Sequence, residues 1–217
     1  MKKIKTLFVI DRNTDMATDV LTAGAEWVIR GEGKATIKFD GSSAYFAEGK
    51  LFKRFDRKLK SNFSKMARSM GDKFVPEDHM FNEVPEGAIP CEAAPAAHSL
   101  HFPHWVPVGD GPEDKFHREA LENAGDLKDG ATYELVGPKV NGNPYKLERH
   151  ELWEHGSVDF EVTDFTFEGL KKLFAEKLVN EEGLVFHHPD GRMIKLRNKD
   201  FSFATFGKFD ERSKKKK

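Results

Sequence analysis

Cysteine, long apolar runs and net charge are all scarce in this chain, and each shortage removes a class of protein. Of its 217 residues one is cysteine, Cys91, so there is no internal disulfide and no thiol set for a zinc site, as expected of a reducing cytoplasm. The longest early apolar run, Leu7-Phe8-Val9-Ile10, is too short for a signal peptide or a membrane span. Tyrosine and tryptophan number three each, whereas nineteen phenylalanines supply core material. With 38% apolar and 33% charged residues, the composition is that of an ordinary soluble protein of one domain. We place that domain at residues 1–212, followed by a basic, disordered tail at 213–217.

The net charge of −1 conceals a strong asymmetry. Lys50 to Arg68 holds eight Lys and Arg against the single acid Asp56, Glu77 to Glu134 holds thirteen acids against three bases, and Arg192 to Lys217 holds ten bases against three acids. Two basic patches around an acidic middle resemble the footprint of a polyanion binder that is not basic overall. Solvated charged faces would give the same pattern.

Local patterning indicates an α+β chain. Ala35 to Ala47 reads as strand, Asp40-Gly41 turn and strand, with the glycine supplying the positive φ of a hairpin. Leu51 to Asp56 alternates as a third antiparallel strand. Ala17 to Leu21 reads as a helical turn and Trp27-Val28-Ile29 as extended. Asn62 to Met70 and Phe116 to Ala124 read as short helices. The clearest helix is Thr166 to Val179, with Phe167, Leu170, Leu173, Phe174 and Leu178 forming one apolar stripe. Thr132 to Val136, Gly183 to Phe186 and Met193 to Arg197 are strands, the last two joined by a Pro189-Asp190-Gly191 turn. Residues 76–114 carry most of the prolines and read as loop with short strands, Trp105 to Val108 being a buried edge strand. His98, His101 and His104 fall three apart, but Pro103 and the lack of a helical pattern give them no common face for a metal.

Five positions carry charge where a strand would ordinarily carry an apolar or neutral residue: Lys38, Glu134, Glu182 and the pair Lys195 and Arg197. Lys195 and Arg197 are two apart and project from one face. Such residues belong either to an exposed sheet face or to the wall of a polar cavity.

In order and spacing, these residues resemble the covalent nucleotidyltransferase superfamily of ATP-dependent ligases and RNA capping enzymes. The likeness is carried by Lys38-Phe39-Asp40-Gly41, by Arg54 within Phe52 to Lys58, by Tyr133-Glu134-Leu135-Val136-Gly137, by Glu182-Gly183-Leu184-Val185, and by Ile194-Lys195-Leu196-Arg197. Arg54-Phe55-Asp56-Arg57-Lys58, Trp105-Val106-Pro107-Val108, Asn141-Gly142-Asn143-Pro144-Tyr145 and His155-Gly156 are similar to the small 5′–3′ RNA ligases, a branch with a vertebrate member. The resemblance runs from about Thr36 to Phe201.

That resemblance implies a nucleotidyltransferase fold, an ATP-grasp-like ligase adenylation domain of antiparallel sheets flanked by helices. It implies a monomer that uses ATP and Mg²⁺, with Mn²⁺ as an alternative metal, to seal RNA with 5′-phosphate and 3′-hydroxyl ends, as in RNA repair. Lys38 would attack the α-phosphate to give a covalent lysyl-AMP. Glu134 would accept hydrogen bonds from the ribose hydroxyls, and Arg54 would contact the ribose and place the RNA end. Glu182 would hold the metal, while Lys195 and Arg197 would neutralise the α-phosphate. An attacking amine must be unprotonated, against a free lysine pKa of about 10.4, and neighbouring cations favour that state. Asp40 is assigned to fixing the turn, and Trp153 to packing rather than to the adenine face. Only twenty residues follow Arg197, so no C-terminal OB-fold domain is expected. A GTP-dependent capping-type enzyme and a non-catalytic binder of nucleotides or RNA ends are the alternatives. RNA is expected on the basic 50–68 segment and the lysine tail.

Overall fold

The computed structural model describes residues 3–97 and 99–202; His98 and the tail 213–217 lie outside the described residues. In chain order its elements are β1 (Lys5–Thr6), β2 (Phe8–Ile10), β3 (Ala17–Leu21), α1 (Glu26–Ile29), β4 (Lys34–Lys38), β5 (Ser42–Ala47), β6 (Lys50–Lys58), α2 (Ser61–Met70) and β7 (Ile89–Pro90). They continue with β8 (His101–Pro107), α3 (Lys115–Asn123), β9 (Ala131–Val136), β10 (Glu151–Glu154), β11 (Asp159–Phe160), α4 (Phe167–Lys177), β12 (Gly183–His187) and β13 (Met193–Arg197). This is an α+β chain of mainly antiparallel sheets with few helices. Its described residues divide into two compact units, one holding Ser42–Leu135 and His150–Leu152, the other Ile4–Gly41, Val136–Arg149 and residues 153–202.

The second unit is built on a five-stranded sheet of order β1-β13-β12-β4-β11, antiparallel except for the β1–β13 pair. Its register separates two chemistries. Ala35, Phe186 and Ile194 lie opposite one another, as do Ile37, Leu184 and Leu196. Residues opposite across strands share a face, so this face is apolar. It packs against Leu170, Phe174 and Leu178, all 0% exposed. Leu170 and Phe174 belong to the stripe of α4 and Leu178 directly follows the helix, whose first turn is capped by the Thr166 hydroxyl accepting the Gly169 N–H at 3.1 Å. Truncating a fully buried phenylalanine such as Phe174 costs about 3–5 kcal/mol.

The other unit is built on a sheet of order β10-β9-β5-β6-β8-β7. One of its faces carries Ala44, Leu51 and Tyr133, covered by Leu121 of α3. A second cluster of Leu59, Ala67, Phe74, Phe81 and Phe102 joins the residue that follows β6 to α2 and β8.

Several local expectations are corrected. The Lys38–Ser42 link is not a hairpin, because β4 pairs with β11 and β12 whereas β5 pairs with β6 and β9, and Gly41 is not in the positive-φ region. The two-residue hairpin lies one strand later, at Glu48 and Gly49 with φ of 51° and 71°, the backbone of a twist-matched type I′ turn. Ala17–Leu21 is a strand, its β-branched Thr18 and Val20 favouring extension and the Thr18 hydroxyl donating to Val9 O. Trp27 and Val28 lie in helix α1, because adjacent residues buried to 1% and 0% exposure cannot both face inward from a half-solvated strand. Trp105 lies within β8, which runs between β6 and β7 rather than along an edge, and β8 also takes up the loop expected at His101 and His104. Those two histidines are three apart on a strand and so lie on opposite faces.

Among the buried polar groups, His117 on α3 has both ring nitrogens without a hydrogen-bond partner among the described residues. Burial is the main cause that lowers its pKa; Lys53 and His150 add to the lowering and Asp114 opposes it. The unfolded chain therefore takes up a proton near pH 6.5 that the folded chain accepts only at lower pH, so this contribution is complete above pH 6.5 and lost on acidification. Urea unfolding between pH 7.5 and pH 5 should accordingly show a smaller loss of stability for His117→Leu than for the wild type. Parallel pH profiles would contradict it.

Candidate functional site

The face of the five-stranded sheet opposite the apolar one carries the polar residues. Thr36, Val185 and Lys195 form one cross-strand row, and Lys38, Gly183 and Arg197 form the next. Gly183 sits in the middle of that row because there is no room for a side chain: a Cβ there would collide with the Leu196 carbonyl. Neighbouring strands lie about 4.8 Å apart, so Lys38 and Arg197 flank a gap about two strands wide with no side chain between their backbones.

Lys38 ends β4, and its Nζ donates to Glu182 Oε2 at 2.5 Å and approaches Phe39 O at 3.4 Å. The side chains of Lys38 and Glu182 are 23% and 16% exposed, so this is a partly desolvated pair rather than a surface one. Arg197 is held by Asp200, through Nη2 to Oδ1 at 2.7 Å and Nε at 3.1 Å. Asp200 is 1% exposed. Burial, then the charges of Arg197 and Lys38, lower the pKa of the Lys195 ammonium to about 8. Three cations thus share one sheet face with Glu182 and Asp200. Glu181, half-buried next to Glu182, has its pKa raised by burial.

The link after Lys38 is buried at Phe39 and Asp40, each 6% exposed. The Asp40 N–H donates to Tyr145 Oη at 2.7 Å, and Asn141 Nδ2 donates to Asp40 Oδ1 at 2.8 Å. Asp40 therefore fixes a link between strands, not a hairpin turn. Trp153 packs edge-on to Phe39 with ring centroids 5.1 Å apart.

Glu134 and Arg54 belong to the six-stranded sheet. Glu134, 6% exposed, lies opposite Ser43, whose Oγ donates to Glu134 Oε2 at 3.2 Å. Arg54 lies opposite Trp105, with its guanidinium 5.9 Å from the indole, and its Nε donates to Asp56 at 2.8 Å. The sheet register places Ser43, Glu134, Arg54 and Trp105 on one face. The residues expected at the site therefore assemble as two groups, Lys38, Glu182, Lys195 and Arg197 in one unit and Glu134 and Arg54 in the other.

The basic 50–68 segment is partly committed to the fold. Lys53 is paired with Asp114, and Arg57 with Asp78 and the Asn82 carbonyl. Lys50, Lys58, Lys65 and Arg68 are exposed. The pairing roles of Asp200, Asn141 and Tyr145 were missed from the sequence. Asp200 stands three residues beyond Arg197, a spacing that could have suggested the pair; nothing tied Tyr145 to a residue more than a hundred positions earlier.

No family model matches the chain. Among curated proteins it is similar to RNA ligase 1 of Mus musculus, 27% identical over an alignment of 211 residues that covers 75% of this chain and 64% of that relative. The relationship to an RNA ligase is distant. The chain spans about 64% of the length of the curated relative it matches.

The depressed pKa of Lys195 has a measurable consequence. Unfolded, the group keeps its proton up to about pH 10.4; folded, it releases it at about 8. Between those values the unfolded state binds more protons, so stability from this group rises with pH across that window, by about 3 kcal/mol at most. Lys195→Met should flatten the rise in thermal stability between pH 8 and pH 10. An unchanged profile would contradict the assignment.

Proposed function

We propose that the chain is an ATP-dependent RNA ligase of nucleotidyltransferase fold, joining a 5′-phosphate to a 3′-hydroxyl through a lysyl-AMP on Lys38. The observation that carries this reading is the row Lys38–Gly183–Arg197 with Lys195 beside it, an amine and two further cations on one sheet face with Glu182 against the amine. The distant similarity to an RNA ligase supports it. A protein that only bound nucleotide or RNA ends would have no need of a nucleophile.

In the first step the neutral Lys38 amine attacks the α-phosphorus of ATP. A P–N bond forms, the bond to the bridging oxygen breaks, pyrophosphate leaves and the nitrogen gives up a proton. The Glu182 pair must open for the lone pair to face phosphorus. Lys195 and Arg197 would supply positive charge to the oxygens of the in-line transition state, and Asp200 fixes the orientation of the Arg197 guanidinium. In the second step an oxygen of the RNA 5′-phosphate attacks the adenylate phosphorus and expels Lys38. In the third the RNA 3′-hydroxyl attacks the 5′-phosphate and expels AMP. Glu134 is assigned to the ribose hydroxyls, and Arg54 to the ribose and the RNA end.

No group of three or more His, Cys, Asp or Glu side chains converges among the described residues. Mg²⁺ or Mn²⁺ is assigned instead to the Glu182 carboxylate together with phosphate oxygens and water, the mode in which Mg²⁺ is usually bound. Bound there, the ion would supply positive charge at the phosphates.

Incubation with labelled ATP and Mg²⁺ should give labelled protein that survives denaturing electrophoresis, and Lys38→Ala should abolish the label. Label from GTP instead would favour a capping-type transferase, and label from neither would favour a binder. RNA affinity should fall with salt at roughly −0.7 in log–log slope per phosphate contact for single strands. Changing Lys58, Lys65 and Arg68 to glutamine should reduce that slope; an unchanged slope would remove this surface from RNA binding.

A further inference from the structure

The residues after Lys38 leave the sheet, and their polar groups are satisfied by a loop a hundred positions further on. β4 ends at Lys38, so the Asp40 N–H has no strand ladder to enter. A buried backbone N–H needs an acceptor, and Tyr145 Oη is that acceptor at 2.7 Å. Asn141 completes the hold, its Nδ2 donating to Asp40 Oδ1 at 2.8 Å and to Gly41 O at 2.9 Å. The Tyr145 ring lies 4.6 Å from that of Trp153, which in turn packs against Phe39. Every residue from Phe39 to Gly41 is thus gripped.

The gripping loop is itself stiff. Asn141, Gly142, Asn143 and Lys146 have φ of 48°, 81°, 55° and 54°, a left-handed backbone that asparagine and glycine tolerate best. The Asn143 side chain donates to Leu147 O and accepts from Leu147 N, both at 2.9 Å. The Asn143 N–H donates to Val140 O at 2.8 Å.

We infer that Tyr145 and Asn141 are positioning residues that hold the Phe39–Gly41 link so that the Lys38 amine stays on the Glu182 side of the sheet face. This rests on the reading of Lys38 as the nucleophile. Neither residue contacts the amine; each acts through the link. Phe39 O is one of the two acceptors near Lys38 Nζ, so a shift of the link moves the amine's own surroundings. Misplacement of a reacting group by about 1 Å can cost 100-fold in rate.

The test compares wild type, Tyr145→Phe and Asn141→Ala in single-turnover labelling with ATP. Tyr145→Phe keeps the ring against Trp153 and removes only the acceptor. The labelling rate constant at saturating ATP should fall at least tenfold, with full final amplitude and a half-saturating ATP concentration within twofold of wild type. A wild-type rate constant, or a reduced amplitude with an unchanged rate constant, would overturn the inference, since partial unfolding alone does the latter. If the wild type takes no label from any nucleotide, the functional reading fails and a second arm decides the bracket. Acylation by an amine-selective reagent, read by peptide mass spectrometry, should rise at least threefold at Lys38 relative to Lys34 in Tyr145→Phe. An unchanged ratio would overturn the bracket whatever the activity.

Discussion

The site depends on the register between β4, β12 and β13. Pairing Lys38 with Gly183 and Gly183 with Arg197 puts Thr36, Lys38, Lys195 and Arg197 on one face and sends Ile37, Leu184 and Leu196 into the core of the second unit. Because side chains alternate along a strand, a slip of one residue would bury Lys38 and Lys195 and expose those apolar residues. Packing against α4 and the presentation of the cations are therefore one constraint. Gly183 belongs to it, since its position admits no Cβ against the Leu196 carbonyl.

Electrostatics on that face is deliberately unequal. Arg197 has a buried carboxylate partner in Asp200, and Lys38 has Glu182. Lys195 lies in the neighbouring row, with burial and two like charges drawing its pKa down to about 8. Such a face holds a cation fixed by a buried carboxylate, Arg197, a cation whose pKa is lowered, Lys195, and a lysine paired with a partly buried glutamate, Lys38. In the proposed ligase these would serve as phosphate clamp, second phosphate contact and nucleophile. The same distribution imposes a cost on folding at neutral pH, as perturbed groups at functional sites commonly do.

Periodicity made much of this legible. The stripe of α4 and the strands β9, β12 and β13 stand where apolar patterning put them, and the two-residue spacing of Lys195 and Arg197 placed both on one face. Pairing was not legible in the same way. Asp40-Gly41 carries a hairpin dipeptide, yet Asp40 is held by Asn141 and Tyr145, and its flanking strands join different sheets. Long-range hydrogen bonds chose between local options that the dipeptide left equal. The same holds for Trp27 and Val28, where burial of consecutive residues overrode β-branched propensity. Segment charge was also misleading: Lys53 and Arg57 looked available to RNA but are tied to Asp114 and Asp78, acids that the linear count had assigned to a separate patch.

The central claim is that Lys38 is the residue that becomes covalently bound to the nucleotide. Peptide mass spectrometry of the full chain after incubation with ATP and Mg²⁺ tests it most directly. The account predicts a single AMP phosphoramidate, on the peptide containing Lys38 and on that lysine. An adduct on Lys195 or any other residue, or no adduct at all, would contradict it.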